Sequence, residues 1–152
     1  LDKIIVTAML MMAGVISAIF FFNSVYPTVS QGSAAIISME YRISDRMKSQ
    51  ISIIHTANAN ATVLIWVKNV GATRIGGVES SDVFFGPEGN FTRIPYGVGS
   101  PHWEYIVEND TEWNPHATIR IMIFGYAPLD PGRYYVKMVL PNGIASDDFF
   151  SW

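Results

Sequence analysis

Three histidines, His55, His102 and His116, are the side chains best able to move a proton near neutral pH. No two stand at a metal-binding spacing such as His-x-x-x-His, and none has a serine or aspartate beside it in a nucleophile motif. Solvated positions are expected for all three: His55 at the end of a strand beside a turn, His102 and His116 in loops next to prolines. Asp147-Asp148 could offer oxygens to a hard cation, but an exposed pair is the simpler expectation. Gly97-Val98-Gly99 lacks the lysine and following helix of a phosphate loop. Cysteine is absent, which removes disulfides, thiolate catalysis and sulfur-ligated zinc. We therefore expect no catalytic, cofactor-binding or metal-binding residues, and a protein that is not an enzyme. Covalent decoration is the remaining chemistry. Asn60-Ala61-Thr62, Asn90-Phe91-Thr92 and Asn109-Asp110-Thr111 are N-glycosylation sequons in expected turns or at strand edges, making Asn60, Asn90 and Asn109 candidate glycan acceptors.

The elements that position these residues fall into two regions of opposite character. Ile4 to Met39 contains no Asp, Glu, Lys, Arg or His, whereas nearly all the charge lies from Glu40 onward. The net charge of −3 and the lack of any Lys/Arg-rich run exclude a phosphate-neutralising surface, and with it nucleic acid as a partner.

Ile4–Phe22 is a run with nothing more polar than Thr7 and Ser17, close to the ~20 residues that cross a bilayer. It exceeds a signal-peptide apolar region, and Asn23-Ser24-Val25-Tyr26-Pro27 is a poor cleavage site. The opening on Leu1 instead of Met predicts that a leader has been removed. Helical character continues past the run, because Ile36, Met39, Ile43 and Met47 recur at intervals of three and four on one stripe. Pro27 and Gly32 predict a kink or local unwinding between the two parts. A helix persisting from Lys3 to Lys48 would be roughly 68 Å long, over twice the depth of a bilayer. Small residues around Gly14 would let copies pack closely. The expected packing residues are Ile4, Ile5, Leu10, Gly14, Val15, Ile19 and Phe22 together with the stripe. Asp2 and Lys3 at the extreme end would pair with the free α-amine, or with each other across subunits.

From Gln50 the period changes to two. Eight strands are expected, at 51–56, 62–70, 81–85, 91–95, 103–108, 117–124, 134–140 and 144–150, with 57–61 as a hairpin connection. The strand at 62–70, with Val63, Ile65 and Val67 alternating with Leu64 and Trp66, is expected to be buried on both faces for most of its length. The predicted architecture is α+β: a long hydrophobic helix over 1–48, then an all-β immunoglobulin-like sandwich over 49–152.

This plan resembles the archaeal flagellin (archaellin) branch of the type IV pilin superfamily. The likeness is carried by the apolar run with its amphipathic continuation through Arg42–Lys48, by Val63–Gly71 with its Lys68-Asn69-Val70-Gly71 ending, and by Leu129–Val136 followed by Pro141-Asn142-Gly143. Ile5 stands where bacterial type IV pilins carry Glu. The resemblance implies a prepilin-type peptidase that trims the leader, an assembly motor, membrane residence before assembly, and a homo-oligomeric helical filament outside the cell. The leading expectation is thus a filament subunit for motility or adhesion. The alternative is a membrane-anchored archaellum stator or adhesin that contacts the surface layer through its sandwich.

Overall fold

The computed structural model describes residues 1–126 and 129–152, with only the backbone of Ser30. It comprises two compact units, Leu1–Arg42 and Ile43–Trp152. Helix α1 runs from Asp2 to Lys48 without interruption. The local unwinding expected near Pro27 and Gly32 is not found. Proline removes a single donor, and the many helical hydrogen bonds on either side carry the helix through. The few polar side chains of the apolar run return their hydroxyls to the helix: Thr7 donates to the Lys3 carbonyl at 2.7 Å and Ser17 to that of Ala13 at 2.8 Å. Such back-bonding lets a hydroxyl lie in an apolar medium with its proton satisfied.

The second unit is a sandwich of two four-stranded antiparallel sheets. One sheet has the order β1 (Ile51–Ala59), β2 (Thr62–Asn69), β6 (Thr118–Phe124), β5 (His102–Val107). The other has the order β4 (Thr92–Ile94), β3 (Asp82–Pro87), β7 (Arg133–Val139), β8 (Ala145–Ser151). All eight expected strands are present. A short 3₁₀ turn at Val78–Ser80, which the strand pattern did not reveal, leads into β3.

Alternate residues of each strand meet between the sheets. Val63, Ile65 and Val67 of β2, Val83 and Phe85 of β3, and Ile119, Ile121 and Ile123 of β6, each at most 1% exposed, belong to one common core. Burial of each such side chain contributes about 1.5–3 kcal/mol before ordering costs. β2 is not buried on both faces. Its burial alternates strictly, with Leu64, Trp66 and Lys68 half-buried on the outside, because a two-layer sandwich buries only the inner face of each sheet.

The β1–β2 connection is tighter than 57–61. Both strands extend until only Asn60 and Ala61 remain, at φ 48° and 66°. Two consecutive left-handed residues make the hairpin turn whose twist matches its strands. Asparagine tolerates that conformation, whereas alanine's Cβ is strained there.

One side chain organises the end of the sandwich where α1 finishes. Asn69 is fully buried; its Nδ2 donates to the carbonyls of Thr73 (2.9 Å) and Trp113 (3.1 Å), and its Oδ1 accepts from Gly71 N (3.0 Å). The turn so held brings Ala72 N to the Lys48 carbonyl at 2.7 Å, capping the last helical residue. A Cβ on Gly71 would lie 2.5 Å from that carbonyl and 2.6 Å from Gln50 N, so only glycine permits this approach. The Lys-Asn-x-Gly ending of β2 thus has a structural cause. The last turn of α1 is further tied down by Asn142, which donates to Asp45 at 3.4 Å, and by Arg46 lying against Gly143.

Asn69→Asp should destabilise the sandwich by about 3 kcal/mol or more, because a carboxylate oxygen then faces two carbonyls in a buried site. Denaturant titration of the full chain in detergent would read the loss, and an unchanged midpoint would refute this role for Asn69. Ala61→Gly should act in the opposite direction and stabilise by roughly 1 kcal/mol through relief of backbone strain. An unchanged or lowered midpoint in the same titration would count against a strained turn.

Candidate interaction surfaces

The histidines do not converge. His55 lies within β1, exposed, with its ring 5.1 Å from that of Trp66; it does not end a strand. His102 opens β5 instead of sitting in a loop, with Nδ1 2.8 Å from the Gly99 carbonyl and Nε2 3.9 Å from Glu104. His116 is exposed in the loop before β6 at φ 69°. Asp147 and Asp148 are consecutive on β8, so their side chains leave opposite sides of the strand. Among the described residues no three His, Asp or Glu side chains come together as metal ligands would. Tyr105 and Glu79 form a local pair at 2.7 Å, phenol donating to carboxylate. Burial, reinforced by that neighbouring carboxylate, pushes the Tyr105 phenol up to about 12. The same hydrogen bond holds Glu79 below the usual carboxylate range. This pair anchors β5 to the 3₁₀ turn.

The three sequon asparagines are all exposed, Asn60 at the hairpin tip, Asn90 between β3 and β4, and Asn109 after β5. Asn109 Oδ1 accepts from Thr118 N at 2.9 Å, a bond that leaves its Nδ2 uncommitted.

The outer face of the β4-β3-β7-β8 sheet carries what single-strand patterns could not show. Alternation along β7 turns Arg133, Tyr135 and Lys137 outward, and the register sets Tyr135 beside Phe149 and Lys137 beside Asp147. Phe91 comes over Gly86, where a Cβ would collide with the Phe91 backbone at 2.7 Å. Ring centroids then run Phe91 to Tyr135 at 4.5 Å and Tyr135 to Phe149 at 4.9 Å, with the Arg133 guanidinium 4.5 Å above Phe149. Phe84 adds an edge-on contact to Phe91 at 6.5 Å. Around this row stand the ion pairs Arg93–Asp82 and Arg133–Glu88. Phe91 and Phe149 remain 44% and 41% exposed. Half-exposed aromatics and arginine inside a charged rim are the composition of a protein-binding face. The tilted rings offer no flat platform.

Helix α1 is the second surface. It is long and apolar enough to cross a membrane. The residues expected to pack between copies are exposed: Ile4 at 71%, Phe22 at 71%, Ile36 at 67% and Met47 at 82% mark its length, and Ile5, Leu10, Val15, Ile19, Met39 and Ile43 are likewise open. Gly14 leaves open space, and Asp2 and Lys3 form no ion pair among the described residues.

No model of a known protein family matches the chain. An uncharacterised protein of Archaeoglobus fulgidus is 27% identical over 161 residues, spanning 99% of this chain and 98% of that one. Among solved structures, the archaellum periplasmic stator protein FlaG from Sulfolobus acidocaldarius is 30% identical with a TM-score of 0.61, covering 67% of this chain and 99% of that chain. The archaellum periplasmic stator protein complex FlaF and FlaG from the same organism matches at 31% identity and a TM-score of 0.60, covering 66% of this chain and 88% of that chain. Both are stator components and not filament subunits, so the archaellin branch indicated by sequence resemblance gives way to the alternative that accompanied it. The second structure is a complex of archaellum components and not a helical filament of identical subunits. By identity, coverage and fold, this chain belongs to the family of the archaellum periplasmic stator protein FlaG.

Proposed function

We propose that this protein is a membrane-anchored stator subunit of an archaellum, held by Ile4–Phe22 and presenting its sandwich outside the cytoplasmic membrane. The observation that carries the reading is the likeness to a stator protein of the same fold, which covers 67% of this chain and 99% of that protein's chain. The apolar run supports it independently, since its length suits one bilayer crossing. The work is binding and load transfer and involves no catalysis. Past Phe22, α1 continues to Lys48. The aromatic row on the outer sheet face takes a second stator component, as a relative of this chain is found in complex with one. Any glycans would sit on Asn60, Asn90 or Asn109.

Location separates a stator from a filament subunit. The chain should fractionate with membranes and be absent as the main band of sheared filaments; finding it as that band would overturn the proposal. Val15→Asp places a charge near the centre of the span at a cost of about 2.5–3.5 kcal/mol and should deplete the membrane fraction. Ile36→Asp, outside the span, should stay membrane-bound.

For the partner face, Phe149→Asp should weaken binding of the second stator component by on the order of 2 kcal/mol, roughly thirtyfold in Kd. Membrane location should be unchanged. Full retention of the partner in co-purification would remove this face from the proposal.

A further inference from the structure

Beyond the membrane run, α1 carries a second periodicity that anchoring does not use. Counting from Phe22, the last residue of that run, Val29, Ile36 and Ile43 recur at steps of one heptad. Val25, Gly32 and Met39 follow Phe22, Val29 and Ile36 at the second apolar position of each heptad. Every one lies in continuous helix, and Val29, Ile36 and Met39 are 60%, 67% and 67% exposed. Asn23, Ser24, Gln31 and Ser38 occupy the other side. Pro27 also falls there, clear of the seam. Lipid is not available to cover this seam, because the bilayer is already filled by about 20 residues. Water would face an apolar line more than two heptads long. An ideal helix drifts by about 20° per heptad relative to a strict seven-residue repeat, so a straight lone helix gains nothing from keeping one. A partner helix wound around it does.

We propose that α1 between Phe22 and Ile43 pairs with the same stretch of a second copy of this chain as a parallel, in-register two-stranded coiled coil. The register follows from anchoring, and in this respect the inference rests on the reading above: two copies crossing the bilayer through the same segment begin their stalks at the same depth and in the same direction. A foreign helix would need its own repeat in phase. β-Branched Val29, Ile36 and Ile43 occupy the first core position of successive heptads. Gly32 leaves open space at a second core position, which lets the two backbones approach. The flanking positions are permissive. In such a pair Thr28 of one copy faces Ser33 of the other and Ala35 faces Glu40, with no like charges opposed.

The absence of cysteine makes this directly testable. Single variants Ile36→Cys and Met39→Cys on the seam, and Ser38→Cys and Tyr41→Cys off it, would be reconstituted as the full chain alone in lipid vesicles. Mild oxidation followed by a non-reducing gel reads the disulfide-linked dimer. The dimer should form several-fold more at positions 36 and 39 than at 38 and 41. Equal yields at all four, a maximum at 38 or 41, or no dimer at any would overturn the proposal. Flotation of the same vesicles reports anchoring separately. A chain that floats without the seam pattern refutes only the pairing, whereas one that fails to float refutes the anchor.

Discussion

The second unit depends on a knot of hydrogen bonds around one buried amide. Asn69 sits at the end of the central strand β2, closes the turn that contains Gly71, and through it delivers the Ala72 amide to the final carbonyl of α1. Three demands meet there: a helix must end, a strand must end, and a tryptophan-bearing loop must be held. Trp113 enters the same network, its carbonyl receiving Asn69 while its indole donates to Ala117 at 3.2 Å. A buried polar group is tolerated only when satisfied, and here the bonds of the amide also fix two pieces of chain, the turn at Gly71–Thr73 and the loop at Trp113. With no disulfide available, this is how the domain positions the last turn of its helix.

Much of the plan was legible from one sequence because its parts obey different periods. The uncharged run and its continuation could only be helix, and the alternation after Gln50 could only be strand. All eight strands fell near their expected places. Failures came where a local rule met cooperative context. Pro27 signals unwinding by itself, yet one lost donor is small against the bonds of a 47-residue helix. Ala57 and Ala59 read as turn because they are small and neighbour asparagine, yet pairing with β2 draws both into strand.

The proposed partner face was less visible for a physical reason. Phe91, Tyr135 and Phe149 belong to three segments, and only the order β4-β3-β7-β8 and its register make them neighbours. Each looks like an ordinary half-buried strand or turn aromatic by itself. The choice between filament and stator was illegible in a different sense. Both plans require the same oily helix and a sandwich of the same kind, so hydrophobic pattern carries no information that separates them. What distinguishes them lies on the outer surfaces, where side chains answer to partners and not to the fold.

The two aspartates of β8 have a consequence for crowding. β8 ends its sheet, and such a rim invites strand-to-strand joining with any similar domain nearby. Placing adjacent carboxylates on that rim makes unwanted stacking of heads electrostatically costly. Neighbouring copies can therefore stand shoulder to shoulder without fusing into continuous ribbons, leaving association to the faces that encode it.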